Sequence, residues 1–153
     1  MFTMTKNQRL VWEIYFLMLS LFIAAKVLNF FDPASDIYFY FQTLQAFDAY
    51  FLLHYTFNLL QVIFSLLMLL PLLLYIYRWK LFAAYLWQAF FTLLVALDVF
   101  GHPFEMQFIR ASYADWPVHG IMEFVYQFVI YLPAYLAVFI YAFRQESLEL
   151  KEL

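Results

Sequence analysis

Between Ala49 and Tyr77 the chain runs for twenty-nine residues without an Asp, Glu, Lys or Arg. As a helix, a run of that length is enough to cross the ~30 Å hydrocarbon core of a bilayer. The chain therefore reads as a membrane protein, and that fixes its solvent before any motif is considered.

Composition agrees. Hydrophobic residues make up 67% of the 153, aromatic ones 25% and charged ones 12%, too little polar surface to cover a water-soluble chain of this size. The length suits one compact domain, 1–153, and no Gly/Ser-rich or Pro-rich linker, repeat or low-complexity tract divides it. The formal charge of −3, with no basic run, gives no footing for nucleic acid. Without Cys there can be no disulfide, thiolate-held zinc, iron–sulfur cluster or covalent c-type haem. The only glycines are Gly101 and Gly120, so phosphate-cradling loops, dinucleotide fingerprints and GxxxG faces are excluded. None of the five serines sits in a G-x-S-x-G elbow.

The apolar runs and their punctuation predict a four-helix transmembrane bundle with spans at about Leu10–Phe31, Ala49–Tyr77, Leu81–Phe100 and Val118–Phe143. Asp32-Pro33 should end the first, because proline disfavours helical geometry in the residue before it. Arg78-Trp79-Lys80 makes a hydrophilic corner, and Gly101-His102-Pro103 is expected to close the third helix. Pro117 suits the first turn of the fourth, with Asp115 as its cap, and Pro133 should kink it.

Six of the eight basic residues, Lys6, Arg9, Arg78, Lys80, Arg144 and Lys151, fall on one side of this arrangement, whereas Arg110 alone falls in the opposite loops. The positive-inside rule then places both termini and the 78–80 loop in the cytoplasm, in a membrane of bacterial inner-membrane type. The first helix starts with Lys6 and Arg9 as a signal peptide would. Its apolar stretch is longer than a signal needs and lacks a small-x-small cleavage site, so it is read as an anchor. The outer segments, with Ile37–Phe41 in one and Phe104, Met106, Phe108 and Ile109 in the other, are too apolar for water and predict short interfacial helices or helical extensions. Tyr and Trp are read as interface anchors. The tail from Arg144 to Leu153, with Glu146, Glu149 and Glu152, reads as a short solvated helix.

At ~100° per residue the polar side chains inside the spans fall into stripes. His54, Asn58, Gln61 and Ser65 share one face of the second helix, and His119, Glu123 and Gln127 share one face of the fourth. Gln88, Thr92, Asp98 and His102 occupy a broader sector of the third, and Lys26 and Asn29 one face of the first. Most lie in the outer half of their spans, while Glu13 lies near the inner end, within reach of Arg9. The pattern predicts an outward-facing polar cavity, closed below by apolar packing, with His54, Asn58, Asp98, His119, Glu123 and Lys26 as its candidate residues. The plainer readings are that Asn58, Gln61, Gln88 and Gln127 each hydrogen-bond a neighbouring helix, and that Lys26 snorkels to the interface. Glu123 needs a compensating partner at that depth, and His119, His54 and Lys26 are the candidates.

Three functions follow as expectations. The first is a non-enzymatic accessory or assembly subunit of a larger membrane complex, or a homo-oligomer, whose polar face serves assembly or a path for substrate or protons. The second is a metal or haem b site drawn from His54, His102, His119 and Glu123, with Asp98 nearby, since imidazole and carboxylate are the ligands a thiol-free bundle offers. H-x-x-x-E at 119–123 matches neither the zinc-protease nor the di-iron helix motif. The third is a lipid-binding or lipid-modifying protein in which Glu123, His119 and Asp98 handle protons beside a hydrophobic ligand. In architecture alone, four spans with cytoplasmic termini and a carboxylate-bearing cavity, the chain is similar to the sterol-isomerase and sigma-2-receptor group of membrane proteins. A transporter acting alone is disfavoured by the absence of a glycine-broken helix.

Overall fold

The computed structural model describes residues 4–35, 48–112, 117–148 and 151–152. Four helices, α1 (Lys6–Phe31), α2 (Asp48–Tyr77), α3 (Ala84–Ser112) and α4 (Pro117–Phe143), each contain a stretch long and apolar enough to cross a membrane. The chain is an all-helical integral membrane protein of four-helix-bundle type.

Local chemistry accounts for most of the boundaries. Thr5 caps α1 through a capping box in which its hydroxyl accepts from the Gln8 amide while the Gln8 side chain accepts from the Thr5 amide, satisfying two donors that a helix start leaves open. Asp32 ends α1, its extended backbone standing before Pro33, and its carboxylate accepts from the Ala34 amide at 2.9 Å. Pro117 occupies the first position of α4, where its missing N–H is no loss. Asp115 and the segment 37–41 lie outside the described residues. Near the start of α1, Arg9 pairs with Glu13 at 2.9 Å, as their spacing predicts.

Three boundaries differ from the sequence reading by three residues or more; helix α1 begins at Lys6 rather than Leu10, one turn earlier, where Thr5 caps it. Helix α3 begins at Ala84 rather than Leu81, because Phe82 has φ of +65°, a left-handed conformation no helix can contain. At its other end α3 does not close at Gly101-His102-Pro103 but continues to Ser112 with Pro103 inside it. A proline in a helix forfeits one backbone bond, and membrane helices tolerate that where neighbours compensate. The 101–112 segment is thus a helical extension. Helix α4 likewise passes through Pro133, and α2 through Pro71.

Helix α2 is the hub, packing on α1, α3 and α4, while α3 and α4 also pack on each other. The core lies toward the Arg78–Lys80 corner, where Leu19, Ile23, Met68, Leu72, Trp87, Val138 and Tyr141 are buried. On α4 this face is built from small residues: Ala134, Ala137 and Ala142 are wholly buried, which lets backbones approach closely without glycine. The opposite faces carry exposed Val11, Met18, Leu21, Leu28, Leu93 and Leu136, a surface suited to lipid and costly in water.

The corner end is knit by polar contacts. Tyr141 accepts from the Leu81 amide at 3.3 Å and donates to the Trp79 carbonyl at 3.0 Å. Trp87 donates its indole N–H to Leu81. Arg9 lies over the Tyr77 ring, which brings the start of α1 to this end as well. Among the described residues the tail is not a continuous helix. It makes a 3-10 turn at Gln145–Leu148 whose ends are buried, Arg78 donates to the Leu148 carbonyl, and a two-residue strand β2 (Lys151–Glu152) pairs in parallel with β1 (Trp79–Lys80). Burial of Leu148 at 3% exposure explains the difference: an apolar anchor draws the acidic tail back onto the bundle.

Candidate binding cavity

Above the apolar core, away from the corner, the four helices line a half-open cavity of about 450 Å³. Helix α1 contributes Lys26, α2 contributes Gln61 and Ser65, α3 contributes Asp98 and Val99, and α4 contributes Gln127, Phe128, Tyr131, Leu132 and Tyr135. At ~1.5 Å per residue most of its polar groups stand roughly 20–30 Å along their helices from the corner end. Its size falls within the ~300–1,000 Å³ usual for small-molecule sites.

Periodicity explains the convergence. Gln61 and Ser65 are one turn apart on α2, and Gln127, Tyr131 and Tyr135 repeat every four residues on α4, so each set projects from one face. Gly101 permits the close approach of α3 to α2: a Cβ there would stand 2.6 Å from Nε2 and 3.1 Å from Cδ of Gln61. Gln61 is thereby held against the α3 backbone at the cavity edge.

Two charged residues line this space, Lys26 from α1 and Asp98 from α3. The Asp98 carboxylate accepts a hydrogen bond from the Tyr135 hydroxyl. The Lys26 ammonium stands 5.7 Å from the centre of the Tyr131 ring, a cation–π geometry, and makes no ion pair among the described residues. The Tyr131 hydroxyl oxygen is shielded from solvent and has no hydrogen-bond partner. Tyr131 also packs edge-on against Phe22 of α1.

Of the residues singled out from sequence, Lys26 and Asp98 line the cavity. His54 is buried at 1% exposure on α2 but is not part of that lining. Asn58 turns its side-chain amide back onto the His54 carbonyl at 3.0 Å, a bond within its own helix. Gln88 donates to the Ala142 carbonyl of α4 and Thr92 to the Gln88 carbonyl, so these two members of the α3 stripe are engaged with backbone. The side chains of His102, His119 and Glu123 lie outside what the structure describes. Among the described residues no three of His, Asp and Glu gather as a metal site would require.

The polar lining residues absent from the first selection are Gln61, Ser65, Gln127, Tyr131 and Tyr135. Gln61, Ser65 and Gln127 belong to the stripes already traced. Tyr131 and Tyr135 extend the 119–123–127 stripe at the same four-residue spacing, a signal masked by reading every tyrosine as an interface anchor. Comparisons of the chain with protein-family models, with curated proteins and with solved structures found no match.

Proposed function

We propose that this chain is a small multi-pass membrane protein that binds an amphiphilic, lipid-like ligand in the cavity between its four helices. The observation that carries this reading is the convergence of polar groups from all four helices on one space of about 450 Å³, with aromatic and aliphatic walls from α4. Polar side chains inside a membrane are costly and mark functional paths or sites. Here Lys26, Gln61, Ser65, Asp98 and Gln127, one or more from each helix, border a single shared cavity. An assembly surface, as the accessory-subunit reading requires, would present them on the outside of the bundle.

The basic residues set the orientation in this proposal. Lys6, Arg9, Arg78, Lys80, Arg144 and Lys151 belong to the segments at the corner end, so that end lies in the cytoplasm by the positive-inside rule. The cavity then lies in the outer half of the bilayer, within reach of an outer-leaflet lipid.

The test is gentle purification of the tagged chain from its own membrane, followed by native mass spectrometry and lipid extraction. The expected result is a retained amphiphile at defined stoichiometry, lost in Gln127→Trp, which fills the cavity from α4. A stoichiometric protein partner with no retained small molecule would overturn the binding reading and favour the accessory subunit. A retained metal or haem would favour the second of the sequence-based expectations.

A further inference from the structure

The cavity is polar, but its donors and acceptors are not in balance. Its acidic member, Asp98, already receives the Tyr135 hydroxyl. Its cationic member, Lys26, is half-buried and meets only the face of Tyr131 among the described residues. A cation over an aromatic face keeps its N–H donors largely unspent, because the ring offers charge density and no lone pair in its plane. Beside it the Tyr131 hydroxyl oxygen is shielded from solvent and unpartnered, although buried tyrosine hydroxyls ordinarily find a partner. Gln61 and Gln127, each with two amide N–H donors, line the same space.

We propose that the ligand carries an anionic oxygen headgroup, a carboxylate or phosphate, seated between the Lys26 ammonium and the Tyr131 hydroxyl. This inference rests on the cavity being a ligand site, as proposed above, and specifies the chemistry it selects. A neutral alcohol could accept from one of these donors and would leave the ammonium uncompensated. An amine would add a second cation beside Lys26. An anionic group supplies several acceptor sites and opposite charge at once, and charge-assisted bonds are stronger than neutral ones, more so away from water. The aliphatic chain of the ligand would lie along Val99, Phe128 and Leu132, the apolar part of the lining.

Selectivity among headgroups on one chain length tests this directly. The protein, reconstituted in phosphatidylcholine nanodiscs at pH ~8.5, chosen to ionise the carboxylate of the free acid, is titrated with oleate, oleyl alcohol and oleylamine. A second arm measures by native mass spectrometry whether phosphatidylglycerol is retained over phosphatidylcholine from mixed discs. The expected result is at least a tenfold preference for the anionic member in one arm, which also identifies the source as a single-chain acid or a phospholipid. Lys26→Met should abolish the preference, Tyr131→Phe should reduce it severalfold, and Lys26→Arg should keep it. Equal binding of oleate and oleyl alcohol, with no phosphatidylglycerol retention, would overturn the headgroup assignment while leaving the cavity as a binding site. A preference that survives Lys26→Met would also overturn it, by assigning the selectivity to basic groups elsewhere. Binding of none of these amphiphiles would overturn the cavity reading itself.

Discussion

The hydroxyl of Tyr15 on α1 donates to the carbonyl of Ile130 on α4 at 2.7 Å and accepts from the Ala134 amide at 3.0 Å, so one phenol occupies a rung of the α4 backbone ladder. The rung lies beside Pro133, which has no N–H to give. A side chain inserted there stabilises a helix already weakened at that point and ties α1 to the wall that carries Tyr131 and Tyr135. Tyr15→Phe should therefore lower stability by about 1 kcal/mol, the scale of interhelical bonds in membranes. In a Pro133→Ala background the same change should cost less, because the regular ladder can then close. Unfolding of the wild type and the three variants in detergent gives the coupling, and strict additivity would show that the two features act separately.

Asp98 and Tyr135 are a second linked pair. Removing the donor with Tyr135→Phe takes one hydrogen bond from the Asp98 carboxylate within a membrane span, a change of about 1 kcal/mol, the scale of such bonds between membrane helices. Asp98→Asn keeps an oxygen that can still accept from Tyr135 and removes the charge, so it should cost less than Tyr135→Phe. Thermal denaturation of both variants in the same detergent checks the order. The reverse order would mean that water hydrates the carboxylate freely.

Spans and stripes were legible in the sequence because both depend on periodicities of a single helix, and a helix fixes which of its own residues share a face. The rotation of one helix against another is not written locally. The stripe from His54 to Ser65 therefore grouped residues of one α2 face without showing that Gln61 and Ser65 would line the cavity while Asn58 bonds its own helix. The Tyr15 insertion joins residues more than a hundred positions apart, and no pattern near Tyr15 announces it. The return of the tail to the corner is similar: Glu146, Glu149 and Glu152 suggested a free helix, and the burial of Leu148 accompanies a 3-10 turn instead. At Gly101-His102-Pro103, local breaking signals were read as a helix end, whereas the glycine serves the close approach to Gln61 inside a continuing helix.

Gly101 gives a prediction of its own. A methyl group at 101 would sit 2.6 Å from the Gln61 amide nitrogen, a contact that cannot persist, yet the obstructing atoms end a flexible side chain. Gly101→Ala should displace Gln61 and change ligand retention while altering stability by no more than about 1 kcal/mol, since alanine also favours helix by a similar amount. Gln61→Ala combined with Gly101→Ala should remove the collision and restore stability relative to Gly101→Ala alone. A Gly101→Ala protein that fails to fold, and is not rescued by Gln61→Ala, would place the constraint in the backbones of α2 and α3 instead.

At the opposite end Tyr141, wholly buried, holds the connection between α2 and α3 by donating to Trp79 and accepting from Leu81. That connection contains Arg78 and Phe82, both with positive φ, at 59° and 65°, a conformation that costs non-glycine residues roughly 1–2 kcal/mol each and persists only where surrounding contacts enforce it. Tyr141→Phe keeps the ring that packs edge-on with Trp87 at 5.6 Å and removes both hydrogen bonds. The connection should then relax locally: amide exchange at Leu81 should rise by about tenfold or more, corresponding to ~1.4 kcal/mol of lost protection, while exchange at Leu94 in the core should change little. Because β1 carries the pairing with Lys151 and Glu152, the same substitution should expose the tail to carboxypeptidase. Unchanged exchange at Leu81 would mean that the Trp87 bond to the Leu81 carbonyl suffices to hold the corner, and Trp87→Phe in the Tyr141→Phe background should then release it.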